Sequence, residues 1–149
     1  AMGLTLSRST GRRPNILFAI NTRLGNLALS AKVKSVRGQA SQGGGIIWRA
    51  INEDNYYLAR WNPQQNMLQL CAVVNGTSEV LKSIGIKANP QTWHTIAIEH
   101  FRDQITITFD DTYTLTRLDD TLPLPGMIGL WTTSDAITMF DEIHLEEIK

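Results

Sequence analysis

From Gly43 to Asn62 the chain reads GGGIIWRAINEDNYYLARWN, and NMLQLCAVVNGTSEVLKSI follows soon after. Two apolar-aromatic runs flank the polar stretch Asn52-Glu53-Asp54-Asn55, and a third run ends at Asn75-Gly76. β-Branched and aromatic residues suit a pleated strand, and Asn-Gly suits a two-residue reversal, so this region spells an antiparallel meander. The rest of the chain agrees. Strand patterns recur at Leu27–Val36, Gly45–Ile51, Tyr56–Trp61, Met67–Val74, Glu79–Ile84, Trp93–His100, Ile105–Phe109, Tyr113–Leu118, Met127–Thr132 and Ile137–Ile148. Between them lie Asn62–Asn66, Asn89-Pro90, Arg102-Asp103, Asp110-Asp111 and Pro123–Gly126, where Gly, Pro, Asn and Asp supply the dihedrals of turns. Helical periodicity is nearly absent. Many short strands with tight reversals predict an all-β sandwich or barrel.

At 149 residues the chain is one domain long, spanning 1–149 with no interior linker or repeat, and Ala1-Met2-Gly3 reads as a cloning remnant. A domain of this size buries about 68–70% of its unfolded surface and needs no disulfide or metal staple. The formal net charge is zero, which argues against nucleic acid or an anionic membrane as partner. No apolar stretch is long enough to insert in a membrane as a helix. Cys71 is the only cysteine and sits in an apolar run, where it reads as a small buried hydrophobe. Oligomeric state is left open; a secreted or periplasmic location is the expectation.

Alternation sorts faces within strands. Ile105, Ile107 and Phe109 share one side of their strand, while Thr106 and Thr108 share the other. That one-sided pattern is what two packed sheets need. Around Gly45–Trp61 large residues fall on both faces, so that sheet is either covered on its second side or presents an aromatic groove there.

The order of motifs carries a resemblance. GGGIIWRAINEDNYYLARWNP, then VVNG, then Pro90-x-x-Trp93-His94, then GMIGLWTTSDAITMFDEIHL, resembles the concanavalin A-like lectin/glucanase superfamily, and within it the bacterial laminin G-like branch with its glycoside hydrolase-like domains. The match runs from about Pro14 to Leu145. It implies a jelly-roll β-sandwich of two curved antiparallel sheets, with ligands on the concave face or rim loops and carbohydrate as the commonest ligand. Relatives often carry a further Trp-containing strand before the position of Pro14; here Leu4–Leu6 offers only a stub.

Several residues are candidates for chemistry. Glu142, His144 and Glu146 alternate in the last strand, similar to the paired acids of the glucanases. At ~3.3 Å per residue the two glutamates lie about 13 Å apart, too far for two-carboxylate hydrolysis unless a bulge intervenes. Asp141 shares parity with Ile143 and Leu145, so a regular strand turns it toward the core, where it would need a partner. Arg49 and Arg60, each embedded in an apolar strand, are the candidates. Two readings of this set stand: a structural Asp–Arg network, or a site whose forks and carboxylate hold sugar hydroxyls.

Among the aromatics, Tyr56 and Tyr57 face opposite ways, and Trp131 has parity opposite to Ile128 and Leu130. Trp131 is therefore the expected exposed platform and Trp93 the expected core residue. The carbohydrate-binding set expected from sequence is Arg49, Tyr56, Arg60, Trp131 and Asp141, with no catalytic or metal residue assigned. No cofactor is expected; Asp110-Asp111 and Asp119-Asp120 are weak calcium candidates, and both pairs read more readily as turn formers. Three functions follow from this reading. The first is a non-catalytic carbohydrate-binding module; the second is a glycoside hydrolase using Asp141 or Glu142; the third is a laminin G-like protein-interaction domain with an exposed apolar patch.

Overall fold

The computed structural model describes residues 4–6, 14–37, 43–133 and 136–149. It is all β. The strands are β1 (Leu4–Leu6), β2 (Asn15–Leu24), β3 (Leu27–Arg37), β4 (Gly44–Asn52), β5 (Asn55–Asn62), β6 (Met67–Val74), β7 (Thr77–Gly85), β8 (His94–Phe101), β9 (Gln104–Phe109), β10 (Tyr113–Leu118), β11 (Gly126–Thr132) and β12 (Ile137–Glu147). They form two six-stranded antiparallel sheets, ordered β1-β12-β3-β8-β9-β10 and β2-β11-β4-β5-β6-β7. All ten strands expected from sequence are present. The strand pattern missed was β2, whose residues are half-buried or exposed and so lack a clean alternation.

Turn chemistry explains the meander β4 to β7. Asn52 Oδ1 accepts from the Asp54 backbone N–H at 2.9 Å, and Asn62 Oδ1 accepts from Gln64 N–H at 3.1 Å, each side chain mimicking a backbone turn. Asn75 and Gly76 both have positive φ, 52° and 81°, as a type I′ hairpin requires.

Between the sheets lies the main core. Leu27, Leu29, Ala31, Val33, Ile96, Ile98, Ile105 and Ile107 from the first sheet meet Ile46, Trp48, Tyr57, Trp61, Leu68 and Leu70 from the second. The sandwich is stitched along one edge. Lys82 Nζ of β7 donates to Thr116 O of β10 at 2.9 Å, and Arg117 Nη1 of β10 donates to Leu81 O at 2.7 Å.

Two β-bulges reset which way side chains face. Between Gly129↔Ile47 and Met127↔Ala50, β4 holds one more residue than β11, and Arg49 takes φ 49°. Between Asp141↔Lys32 and His144↔Ser30, β12 holds one more residue than β3, and Glu142 takes φ 48°. An extra residue on one strand puts two neighbours on the same side and inverts the parity beyond. Asp141 is the casualty of the expectation above. Opposite Lys32, it turns to the outer face of the first sheet, away from the core.

Gly126 packs against the first bulge. A Cβ there would lie 2.6 Å from Ala50 O and Arg49 C and 2.7 Å from Ala50 N, all backbone atoms. Gly126→Ala is therefore expected to destabilise the domain by about 1–3 kcal/mol, whereas Gly85→Ala, whose nearest neighbour would be Asn66 O at 3.9 Å, stays within about 0.5 kcal/mol of the parent. Urea denaturation of the two variants checks this; equal stabilities would contradict it.

Candidate functional site

The second sheet has a second apolar face. Ile47, Ala50, Tyr56, Leu58, Cys71, Val73 and Trp131 form a cluster of their own on the side away from the main core, with Ile16, Phe18 and Met127 against it. Register arranges this outer face in three rows. The first runs Ile16–Trp131–Gly45–Arg60–Gln69–Ser83. The second runs Phe18–Gly129–Ile47–Leu58–Cys71–Val80. The third holds Met127–Ala50 and Tyr56–Val73–Ser78.

The first row carries the polar chemistry. Arg60 sits 5.8 Å from the centre of the Trp131 ring, two strands away across Gly45, where no side chain intervenes. Its Nε donates to Gln69 Oε1 at 3.0 Å and its Nη2 donates to the same oxygen. Gln69 Nε2 in turn donates to Ser83 Oγ at 3.3 Å. Trp131 is only 6% exposed; its indole N–H is buried beside the Tyr56 hydroxyl without a well-aligned hydrogen bond. Burial pushes the Tyr56 phenol and the Cys71 thiol up, so both stay neutral at neutral pH.

Structure thus gathers Tyr56, Arg60 and Trp131 on one face, and reverses the expectation for two tryptophans. Trp131, expected as an exposed platform, is buried by its row neighbours; Trp93, expected in the core, is 39% exposed. Parity read correctly which way Trp131 points, but could not show that a face turned from the main core is itself packed. Gln69 was missed altogether. The signal existed: a reversal pairing Asn62 with Met67 places Gln69 opposite Arg60.

Arg49 and Asp141 lie elsewhere. The bulge carries the Arg49 side chain to one end of the sandwich, where it is 3% exposed. There Nε donates to Gly25 O at 2.9 Å, Nη1 to Leu122 O at 3.1 Å, and Nη2 to Arg102 O at 3.0 Å and Asn26 Oδ1 at 3.5 Å. These acceptors come from three separate loops. Asp141 accepts from the Glu142 backbone N–H at 2.8 Å, and Glu142 pairs with Lys32 at 2.8 Å. The expected network joining Asp141 to Arg49 and Arg60 is not formed.

Beside Arg49 lies a buried polar cluster. Trp48 Nε1 donates to His100 Nδ1 at 2.9 Å, Tyr57 OH donates to Asp119 Oδ1 at 2.6 Å, and Leu122 N donates to Tyr57 OH at 3.1 Å. Burial, reinforced by the Arg49 charge, pushes His100 down to about 3. Burial would raise Asp119, but hydrogen bonds from Tyr57 and Thr121 hold it below the usual carboxylate range. Two of the four carboxylates considered for calcium are engaged by the protein: Asp119 here, and Asp110 by Thr95 N–H at 2.8 Å and His94 Nδ1 at 2.6 Å. Among the described residues no three metal-ligating side chains cluster.

No family model and no curated protein matches the chain. Solved structures do. A carbohydrate-binding module, CBM66 from Bacillus subtilis, is similar with a TM-score of 0.82 at 16% identity, covering 97% of this chain and 95% of that one. A Bacillus subtilis protein of unknown function with a galectin-like fold has a TM-score of 0.75 at 9% identity, covering 97% and 82%. A glycosyl hydrolase-like protein from Parabacteroides distasonis has a TM-score of 0.65 at 12% identity, covering 98% and 87%. At such identities the likeness establishes the architecture alone, a jelly-roll β-sandwich.

The His100 cluster sets an acid limit on stability. An unfolded histidine binds a proton below ~6.5, whereas folded His100 does not until about 3, so unfolding takes up a proton between those values. Stability is therefore complete above pH 6.5 and falls as pH drops toward 3, by up to about 1.4 kcal/mol per pH unit. In His100→Asn, whose amide oxygen can accept from Trp48, the slope between pH 6 and 4 is expected to flatten. Urea titrations at several pH values check it; an unchanged slope would assign the acid sensitivity elsewhere.

Proposed function

We propose that this domain binds a saccharide, without cleaving it, on the outer face of the sheet β2-β11-β4-β5-β6-β7. The observation that carries the reading is the first row: Arg60, Gln69 and Ser83 form a hydrogen-bonded ladder beside the Trp131 ring, and one edge of the Arg60 guanidinium has no acceptor among the described residues. A guanidinium fork with a free edge, an amide and a hydroxyl in one row are groups that hold sugar hydroxyls. With so little of its ring exposed, Trp131 packs beneath Arg60 and offers little stacking surface.

The architecture supports the same reading, since a carbohydrate-binding module is among the structures it resembles. Hydrolysis is not part of the proposal. The three rows hold neither Asp nor Glu, whereas the usual glycosidase mechanism needs two carboxyl groups about 5–9.5 Å apart.

Glycan-array screening and calorimetry against plant and microbial polysaccharides test the proposal. Arg60→Ala and Gln69→Ala are expected to weaken binding at least about tenfold while leaving the thermal midpoint nearly unchanged. Arg49→Ala should do the opposite work and lower stability by about 3 kcal/mol or more, because it strands several buried acceptors. Absence of binding to every glycan would remove the reading.

A protein-interaction role has one observation in its favour. Ile20, Ile51 and Leu124, respectively 77%, 47% and 61% exposed, rim a hollow of about 420 Å³ next to Met127 and Ala50. Concentration-dependent sedimentation abolished by Leu124→Ser, in a protein that binds no glycan, would favour it.

A further inference from the structure

We infer that the ligand of this face is an anionic saccharide, its carboxylate or sulfate group held by the Arg60 guanidinium. The inference rests on the saccharide reading above and adds the chemical class. It follows from counting charges, donors and acceptors on the face.

The three rows contain one formal charge, and it is Arg60. Their other ionisable groups, Tyr56 and Cys71, are held neutral by burial. Among the described residues Arg60 forms no ion pair, although it is half-buried between Trp131 and Gln69. Neither Asp nor Glu stands among the residues of the three rows. A cation drawn partly out of water without a counter-charge favours an anion on the face it lines.

Geometry says which part of the cation is available. A guanidinium has two edges that can each hold a carboxylate in a fork. Gln69 Oε1 occupies the edge made by Nε and Nη2. The end-on edge, Nη1 with the second proton of Nη2, has no acceptor among the described residues.

A carboxylate or sulfate only accepts, so it fits a guanidinium edge that only donates, and it supplies the counter-charge the rows lack. A neutral sugar hydroxyl can bond the same edge but leaves the charge of Arg60 uncompensated.

The test compares an oligogalacturonate with its fully methyl-esterified form by calorimetry, with a sulfated neutral oligosaccharide of similar length as a third arm. The free acid is expected to bind at least about tenfold tighter than the ester. That preference should disappear in Arg60→Ala, survive in part in Arg60→Lys, and shrink as salt rises from about 50 to 500 mM. A sulfated arm that binds tighter than the uronate would support the inference with sulfate as the anion; a weaker one supports it with carboxylate. Equal affinity for ester, acid and sulfated forms would overturn the anionic class while leaving saccharide binding intact. Glycan-array hits confined to neutral sugars would overturn it in the same way, and no glycan bound at all would instead remove the saccharide reading beneath it.

Discussion

One buried guanidinium holds the loop end of the sandwich together. Arg49 leaves the regular pleat of β4 at a bulge, and its nitrogens donate to Gly25 and Asn26, Arg102, and Leu122. These positions belong to the β2–β3 turn, the β8–β9 turn and the β10–β11 connection. Loop carbonyls buried at the end of two packed sheets have no ladder partner, and water is excluded from them. A planar cation with five N–H groups satisfies several at once, where a neutral side chain could satisfy only one or two. Tyr57, Asp119 and His100 extend the same solution inward, each polar atom sharing the desolvated space with the charge on Arg49.

With that end fixed, the two arginines of the apolar strands take different roles. Arg49 is consumed by the architecture. Arg60, on the neighbouring strand and on the opposite side of the sheet, is tied among the described residues only to Gln69 and the face of Trp131, with one edge of its fork unclaimed there. The contrast is a matter of bonding partners: carbonyls aimed from three loops leave nothing of Arg49 for a ligand, whereas a single amide orients Arg60 and leaves donors free. Gly45 makes the second arrangement available, because the strand between Trp131 and Arg60 has no side chain in that row.

Much of this was legible beforehand, residue by residue. The Asn75-Gly76 pair named its hairpin, and the alternation of Ile105, Ile107 and Phe109 named the inner face of β9, because both depend only on local dihedrals and a period of two. Crowding of large residues on both faces of β4 and β5 announced the second apolar cluster. Asp141 was misplaced because its facing depends on a single extra residue at Glu142, and a positive φ at a glutamate leaves no mark in the sequence. Trp131 and Trp93 exchanged their expected exposures for a different reason: burial is decided by what neighbouring strands bring alongside, which alternation within one strand cannot express.

By itself, then, the order of side chains determined an antiparallel, two-sheet protein with a core between the layers, since strand periodicity and turn chemistry act over a few residues. Only the tertiary structure decided which arginine is taken up by the framework and which keeps an edge of its guanidinium unclaimed among the described residues. That choice turns on the two bulges and on the pairing of β11 with β4, residues some 80 apart in the chain. Contacts at that separation are selected by the packing of the whole sandwich, and no local pattern encodes them.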